Sequence, residues 1–200
     1  MKRVLLHICC GPCAIHPVRA LREEGLEVVG LFHNPNIHPL TEYLRRRDSL
    51  ARAALTMDLR IIYKDEDYDP RAYFRAVSHR EANRCFHCYV MRLEKTRSIA
   101  KRGGFDYFST TLLYSIFQKH EMIRDLGRDI AGGGATSFLY RDFRQGWKEG
   151  VDKSREWGLF RQQYCGCLYS ENERYKKGLS EPPDPDAPSG QAKDSGDGEA

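Results

Sequence analysis

The sequence lacks a long apolar run. Hydrophobic residues make up 40% of its 200 positions and charged residues 30%, and no stretch approaches the roughly 20 apolar residues that a membrane-spanning helix needs. A short apolar segment follows Lys2 and Arg3, but His7 interrupts it and no small-residue cleavage site comes after it, unlike a secretory signal peptide. We therefore expect this segment to form a first strand and the protein to be cytoplasmic.

The sequence also lacks the even cysteine count of a complete disulfide framework. It has seven cysteines, and disulfides are rare in the reducing compartment expected here. A Cys-x-x-Cys spacing brings two sulfurs to one metal centre, and clusters that use every cysteine indicate thiolate ligation of metal. The three clusters are Cys9-Cys10-x-x-Cys13, Cys85-x-x-Cys88 and Cys165-x-Cys167.

Acidic residues are concentrated at the carboxyl end of the chain. The formal net charge is +4, and from Ser180 onward six acidic side chains stand against one lysine, so this stretch carries −5 and the preceding residues +9. The stretch is rich in proline and glycine and has almost nothing to bury. We expect a single α/β metal-binding domain over residues 1–179 and a disordered acidic tail over 180–200. A body at +9 suits a polyanionic partner, and equally a solvated basic surface.

Hydrophobic patterning predicts alternating strands and helices. Such an order favours an α/β fold with a doubly wound, mainly parallel sheet and right-handed crossovers. Ligands of such sheets bind outside the carboxyl ends of the strands, where the first cysteine cluster is expected. The predicted strands are 4–9, 26–32, 59–63, 105–111 and 137–140. The predicted helices are 13–24, 40–57, 115–130 and 147–157, and a cysteine-bearing helical insertion is predicted within 70–101.

Three chemistries fit the cysteines. A structural zinc site uses four thiolates and leaves three unexplained, and a thioredoxin-like Cys10-Gly11-Pro12-Cys13 dithiol needs no other cluster. A [4Fe–4S] cluster takes four thiolates, and the other three would hold a second metal with an open position for a substrate oxygen. Because adjacent side chains on an extended segment point in opposite directions, Cys9 and Cys10 are expected to serve different metals.

Five segments together resemble the cobalamin-independent epoxyqueuosine reductases of the QueH type. They are LLHICCGPC, FHNPNIHP, RCFHCYVMRL, FSTTLLYS followed by KHE, and RQQYCGCLYS, so the resemblance runs from about residue 2 to about residue 172. It implies a fold related to the HUP and PP-loop proteins. It also implies the last step of queuosine synthesis, in which the epoxide of epoxyqueuosine at the tRNA wobble position is reduced to queuosine. A low-potential donor would supply two electrons, and no cobalamin would take part.

The resemblance also implies a [4Fe–4S] cluster beside a second metal ion, most simply iron, with zinc as the alternative. The cluster ligands are expected to be Cys10, Cys85, Cys88 and Cys167, with Cys165 as the alternative to Cys167. Cys9, Cys13 and the remaining cysteine are expected on the second ion. Some relatives have an aspartate ligand at the position of Cys13, and a cysteine would give that ion a softer environment.

Further site residues are expected from motif position. A protonated side chain should release the epoxide oxygen as water, and hydroxyl, amide and basic side chains should bind the modified nucleotide and its phosphates. Structural roles are an alternative for each: helix capping, turn formation, core packing or a solvated face. The expected proton donors are Tyr114, Lys119, His120 and Tyr164. The expected substrate-binding residues are Asn34, Asn36, Ser109, Thr110, Thr111, Arg141 and Arg144, with Arg45, Arg46, Arg47 and Phe143 as further candidates.

Two other functions compete with this prediction. A zinc-stabilised tRNA-binding module without redox turnover would explain the basic body and some of the cysteines. A PP-loop-like tRNA thiolase would use a cluster to deliver sulfur, but it needs ATP, and its Ser-Gly-Gly-x-Asp-Ser loop is missing because Gly11-Pro12 occupies that place. The metal and sulfide content of the anaerobically purified protein would separate the reductase from the binding module.

Overall fold

The computed structural model describes residues 1–180, and a sheet of five parallel strands forms its centre. The spatial order of the strands is β3-β2-β1-β4-β5. Each pair is parallel because a helical crossover returns the chain to the same end of the sheet before the next strand begins. The strands are β1 (Arg3–His7), β2 (Glu27–Phe32), β3 (Ile61–Tyr63), β4 (Tyr107–Thr110) and β5 (Ser137–Phe138).

Seven α-helices surround the sheet in two layers. Helices α1, α2 and α6 pack together, while α4 packs on β1 and β4 and contacts α3 and α5. With right-handed crossovers, this strand order places α1 and α4 on opposite faces, which confirms the doubly wound α/β fold. The helices are α1 (Gly11–Glu23), α2 (Leu40–Thr56), α3 (Pro70–Val77), α4 (Arg84–Arg102), α5 (His120–Ala131), α6 (Trp147–Glu156) and α7 (Leu168–Tyr175). None of them combines the length and apolarity needed to cross a bilayer.

Several element boundaries differ from the sequence-based ones. The first strand ends at His7 rather than Cys9, so Cys10 becomes the N-cap residue of α1. The helix expected from residue 115 begins at His120, after a 3₁₀ helix over Thr111–Tyr114. Helix α7 was not predicted, because none of its residues is buried and it therefore has no apolar stripe. The cysteine-bearing helical segment is present as α3 and α4.

The sheet order creates a crevice between β1 and β4, where the crossovers change direction. In the register, Leu6 lies beside Ser109 and His7 beside Thr110, so both strands end at the same level. Gly11 allows α1 to pack against α2 there, because a Cβ at Gly11 would lie 2.6 Å from the Ser49 carbonyl oxygen. A doubly wound sheet binds its ligands at this switch point.

The predicted domain boundary falls at the end of the described part. Of residues 180–200, only Ser180 is described, as the last residue of a 3₁₀ helix over Lys176–Ser180. The prediction of a disordered acidic tail thus concerns residues outside the described ones. A single large apolar cluster, with the residues packed against it, includes side chains from all five strands and from all seven helices named above, so the sheet and its helices share one core.

Candidate metal centre

Three buried thiols converge beyond the end of β1. Cys9, Cys10 and Cys13 are each at most 6% exposed, and their sulfur atoms all lie within 4.8 Å of one another. The Sγ atoms of Cys9 and Cys10 are 3.8 Å apart, and those of Cys10 and Cys13 are 2.7 Å apart. All seven cysteines of the chain are free. This sulfur trio is therefore a group that can bind a metal ion, since thiolates are soft ligands for zinc and iron.

The expectation that the side chains of Cys9 and Cys10 point in opposite directions is not met. The strand has already ended at His7, and Cys10 is the N-cap residue of α1, so both side chains turn toward Cys13 in the first helical turn. Thr111, which follows β4, anchors Cys9: its hydroxyl oxygen accepts from the Cys9 amide at 3.3 Å and its O–H lies 3.6 Å from the Cys9 sulfur. Both strand ends of the crevice therefore shape the trio.

The trio has a preferred position for negative charge. Hydrogen bonds from the thiols of Cys10 and Cys13 hold the pKa of Cys9 well below its usual range, although burial opposes this. Burial raises the pKa of Cys10, and the neighbouring thiols raise that of Cys13. One thiolate, at Cys9, is thus stabilised by two thiols, and a metal cation would displace the remaining protons.

The other four cysteines form a second group, the sulfur quartet, from Cys85, Cys88, Cys165 and Cys167. Cys85 and Cys88 lie in the first turns of α4, and Cys165 and Cys167 lie just before α7. Burial raises the pKa of Cys85, and it raises that of Cys88 to about 11; repulsion from Cys165 and Cys167 adds to both shifts. Unlike the sulfurs of the trio, no three sulfurs of the quartet all lie within 4.8 Å of one another. Four separated thiolates would suit a [4Fe–4S] cluster, because each thiolate binds a different iron.

A buried arginine attaches the Cys165 loop to helix α2. Arg46 is 1% exposed and pairs with Glu42 at 2.7 Å. Its Nη1 and Nη2 donate to the backbone oxygens of Cys165 and Tyr164 at 3.0 and 2.9 Å. Arg46 faces inward, so within the predicted basic patch it is not available for phosphate contacts.

The amide side chains of two glutamines donate to sulfur. Gln118 Nε2 lies 3.2 Å from the Cys165 sulfur, and Gln162 Nε2 lies 3.4 Å from the Cys13 sulfur. The Tyr89 hydroxyl donates to Gln118 Oε1 at 2.8 Å, which fixes the orientation of that amide. Hydrogen bonds to ligand sulfurs tune a metal site, and neither glutamine was predicted.

The four expected proton donors occupy different environments. The hydroxyl groups of Tyr114 and Tyr164 donate to the backbone oxygens of Trp147 (2.9 Å) and His38 (2.5 Å). His120 is 7% exposed and neither ring nitrogen has a hydrogen-bond partner within residues 1–180. Lys119 is exposed, and its charge lowers the pKa of Cys85 against the larger effect of burial.

The hydroxyl and amide residues expected to bind substrate are buried and already bonded within the protein. Ser109 donates to Leu139 O at 2.8 Å, and Thr110 Oγ1 lies 2.9 Å from His7 Nδ1. Asn34 donates to Ile8 O at 2.9 Å. With Thr111 and Asn36, these residues form the wall of the crevice rather than a free surface.

Two of the basic residues expected to bind phosphates, Arg141 and Arg144, lie on the surface. Arg141 pairs with Glu24 at 3.0 Å, and Arg144 pairs with Asp142. Arg144 also lowers the pKa of His120, after the larger effect of burial. Both arginines therefore already have carboxylate partners, and Phe143 is buried beneath them at 2% exposure.

Two buried donors without ordinary partners face the quartet. Asn36 Nδ2 and the Tyr73 hydroxyl have no hydrogen-bond partner within the described residues. Asn36 nevertheless lies close enough to Cys88 to lower the pKa of that thiol against the larger effect of burial, and the Tyr73 hydroxyl lies near Cys167. Buried donors are costly unless they are satisfied, so donors aimed at sulfur fit a site in which the thiolates are anionic ligands. The donor set thus fits a sulfur-bound metal group.

The sequence reasoning missed Arg92, Gln118 and Gln162. A signal for Arg92 exists, because it lies one helical turn after Cys88 on the buried stripe of α4, where a charged side chain is unusual. The glutamines carry no such signal, because only the packing of the segments before α5 and α7 brings them to the sulfurs.

Comparison with known proteins gives one consistent family. The family model described as "Epoxyqueuosine reductase QueH" matches residues 4–173. A protein of that name from Dehalococcoides mccartyi is 34% identical over 175 residues, covering 88% of this chain and 96% of the relative. One from Thermotoga maritima is 35% identical over 185 residues, covering 88% and 94%. One from Haemophilus influenzae is 34% identical over 186 residues, covering 88% and 74%.

Proposed function

The chain belongs to the family of epoxyqueuosine reductases of the QueH type, and from this premise we propose that it reduces epoxyqueuosine in tRNA to queuosine. Two electrons and two protons convert the epoxide to an alkene, and the oxygen leaves as water. The target nucleotide is at the wobble position of an anticodon loop, where the base is unpaired and extruding it costs little. An external low-potential donor supplies the electrons.

The observation that carries this proposal is the buried trio of free sulfurs at the switch point of the sheet, beside β1 and β4. The other four free cysteines lie at the start of α4 and before α7, and we propose that they form the second ligand group. When bound, a [4Fe–4S] cluster with an adjacent ion would supply electron transfer and a Lewis acid. The sulfurs, Thr111 and the glutamine amides would hold and orient these groups.

The assignment of sulfurs to metals has two forms. The sequence-based division places Cys10 on the cluster and Cys165 on the second ion, whereas the sulfur positions group Cys10 with the trio and Cys165 with the quartet. Both assign Cys9 and Cys13 to the second ion, and Cys85, Cys88 and Cys167 to the cluster, and we propose these five assignments. Iron and sulfide analysis of Cys10→Ala decides the assignment of Cys10. Loss of acid-labile sulfide in this variant would place Cys10 on the cluster.

Lys119 is the proton donor that the geometry favours. It is exposed and its charge acts on Cys85 of the quartet, whereas the hydroxyls of Tyr114 and Tyr164 donate to backbone carbonyls. A donor must reach the leaving oxygen and exchange protons with water, and of these three side chains only Lys119 is exposed. The buried crevice wall from Ser109 to Thr111 would hold the trio in place.

Anaerobic protein provides the test. Bound iron and acid-labile sulfide, a broad visible absorption that bleaches on reduction, and conversion of epoxyqueuosine in tRNA are the expected results. A colourless protein that contains only zinc and binds tRNA without turnover would replace this function with the zinc-stabilised binding module. Because substrate tRNA and reductant are both cytoplasmic, the proposal includes a cytoplasmic location.

A further inference from the structure

Arg92 is a buried cation without a carboxylate partner. It lies in the middle of α4, is 3% exposed, and no ion pair within residues 1–180 includes it. The hydrogen-bond acceptor of its guanidinium is the neutral Asn36 Oδ1, which receives Nε at 3.1 Å and Nη2 at 2.9 Å. A neutral oxygen does not balance a charge, and an uncompensated buried charge is strongly destabilising.

The other buried arginine at the site differs in this respect. Arg46 is as deeply buried, yet it has the Glu42 carboxylate at 2.7 Å. The fold therefore provides an anion for one guanidinium and none, within the described chain, for the other. The countercharge of Arg92 must come from groups that become anionic in the working protein.

The groups around Arg92 identify that countercharge. Arg92 lies one helical turn after Cys88, on the same side of α4. Its charge also acts on Cys9 of the trio and on Cys88 of the quartet. His7, His33 and His38 face it as well, and burial, reinforced by Arg92, keeps all three neutral. Because thiols lose their protons when they bind a metal, the two sulfurs are the nearby groups that become anionic in the metal-bound protein.

Arg92 also determines which way the Asn36 amide points. A guanidinium can only donate hydrogen bonds, so the carbonyl oxygen of Asn36 must face Arg92 and its NH₂ group must face away. That NH₂ group is buried, has no hydrogen-bond partner among the described residues, and belongs to a side chain that lies near Cys88. The pair thus presents a charge and an oriented dipole to the same sulfurs.

We propose that Arg92 is the counter-ion shared by the two sulfur groups and that, with Asn36 as a positioning residue, it sets the reduction potential of the metal group they hold. Four thiolates give a bound cluster net negative charge, so a nearby buried cation favours the added electron, and removing the cation lowers the potential. The inference about the reduction potential rests on the proposed function. The inference that the sulfurs balance the charge of Arg92 is independent of that function.

The first experiment measures the midpoint potential of the holoenzyme by anaerobic redox titration. Arg92→Gln is expected to lower the potential and Arg92→Lys to restore most of the parent value, because Lys keeps the charge. Asn36→Asp gives the guanidinium a carboxylate partner and should also lower the potential. Arg102→Gln removes the same charge from the exposed end of α4 and should leave it unchanged. Equal potentials in the parent and in Arg92→Gln would overturn the proposal.

A second experiment is independent of the reductase function. The metal-free protein is titrated with Co²⁺, whose thiolate bonds absorb in the near ultraviolet. Arg92→Gln should bind Co²⁺ about 10- to 100-fold more weakly, the usual cost of losing a group that supports metal ligands, and Arg102→Gln should bind like the parent. Where Arg92→Gln does not fold, Arg92→Lys and Asn36→Asp carry both tests. Parent-like Co²⁺ affinity in Asn36→Asp and in any folded Arg92→Gln would exclude the countercharge role.

Discussion

At the scale of single residues, the site combines anionic sulfur with neutral donors. Gln118, Gln162 and Thr111 approach three of the sulfurs at 3.2 to 3.6 Å. Neutral donors stabilise thiolates without adding charge. Positive charge beside the sulfurs comes from the buried Arg46 and Arg92, from the exposed Lys119 and from the partly exposed Arg84. Each sulfur therefore has its own environment, and single substitutions should have distinct effects.

Cys88→Ala should remove the quartet's capacity to hold a cluster. Cys88 is a buried member of that group, and three thiolates leave one iron of a [4Fe–4S] cluster without its ligand. We expect loss of acid-labile sulfide, visible absorption and reductase activity together, measured on anaerobic protein. Far-ultraviolet circular dichroism would show that the variant is folded. A coloured, active Cys88→Ala protein would exclude the cluster from the reaction.

His33 should make the protein less stable in acid. Burial lowers the pKa of His33 to about 4, although Asp67, whose Oδ2 is 3.4 Å from Nδ1, opposes the shift. The unfolded chain has a pKa near 6.5 at this residue, so between pH 6.5 and 4 the unfolded state binds more protons. The free energy of unfolding should therefore fall as the pH decreases through this range and level off, for this group, below about pH 4.

Urea unfolding at several pH values between 4.5 and 7 measures this effect. His33→Gln should show a shallower decrease than the parent, because its side chain does not titrate. His79→Asn, at an exposed position with positive φ, should keep the parent slope, since Asn tolerates that conformation. Identical slopes for the parent and His33→Gln would show that another group controls the acid transition.

At the scale of elements, the contact between α1 and α2 fixes the start of the trio. A Cβ at Gly11 would lie 2.6 Å from the backbone oxygen of Ser49, and a backbone group cannot swing aside as a flexible side chain can. Gly11→Ala should lower the free energy of unfolding by about 1–3 kcal/mol, as overpacking does, and should weaken metal binding at Cys10 and Cys13.

Thermal or urea unfolding of Gly11→Ala provides the measurement. The matched control is Gly134→Ala, where an added Cβ would meet neighbours at an ordinary 3.6 Å. We expect the control to unfold like the parent. If both variants unfold alike, the two helices are not held at the distance that the structure gives.

The segment before α5 presents an aromatic side chain to solvent, next to a residue that contacts the Cys165 sulfur. Phe117 is 77% exposed and its ring meets Trp147 edge-on at 5.9 Å, while its neighbour Gln118 is fixed to Cys165 and Tyr89. Exposed aromatics stack on unpaired bases of RNA loops. Phe117→Ala should therefore raise KM for tRNA, while kcat and the visible spectrum stay unchanged.

Steady-state assays on tRNA carrying epoxyqueuosine test the role of Phe117. Phe117→Trp should keep the parent KM, because a larger ring still stacks. Leu55→Ala, a change at an 85% exposed residue of α2, is the control for general loss of surface apolar area. An unchanged KM in Phe117→Ala would show that the base binds elsewhere.

At the scale of the whole molecule, the net charge of +9 before Ser180 favours association with the phosphate backbone. Binding through several phosphate contacts releases counterions, so the affinity for tRNA should fall linearly on a log–log plot against salt concentration. Fluorescence anisotropy with a labelled anticodon stem-loop between 50 and 200 mM salt measures the slope. A slope near zero would mean that the arginines on the surface, several of which are paired with carboxylates, do not contact RNA.

The fold was predictable because its elements carry local signals. Apolar runs separated by Gly and Pro gave all five strands and the crossover helices within a few residues. Helix α7 was missed because none of its residues is buried, and the true start of α5 was missed because the preceding segment is held by Tyr89 and Cys165 rather than by helical periodicity.

The site was predictable in part. The spacing of the cysteines indicated metal binding, and the rule for parallel sheets placed Cys9 and Thr111 at the same edge. The orientation of Arg46 could not be predicted, because Arg45, Arg46 and Arg47 look alike in sequence and only the packing of α2 against the Cys165 loop buries the middle one. The hydrogen bonds of Ser109 and Asn34 likewise could not be predicted, because their partners lie far away in the sequence.

The sequence by itself determined the strand and helix order, the use of every cysteine in a cluster, and the resemblance to one family, because these properties depend on residue type and local spacing. Only the tertiary structure decided which sulfurs share a volume, which arginine is buried without a carboxylate, and which donors face the sulfurs. The physical reason is that burial and charge compensation arise between residues that the crossovers bring together, such as Asn36 with Arg92, and local spacing carries no record of such pairs.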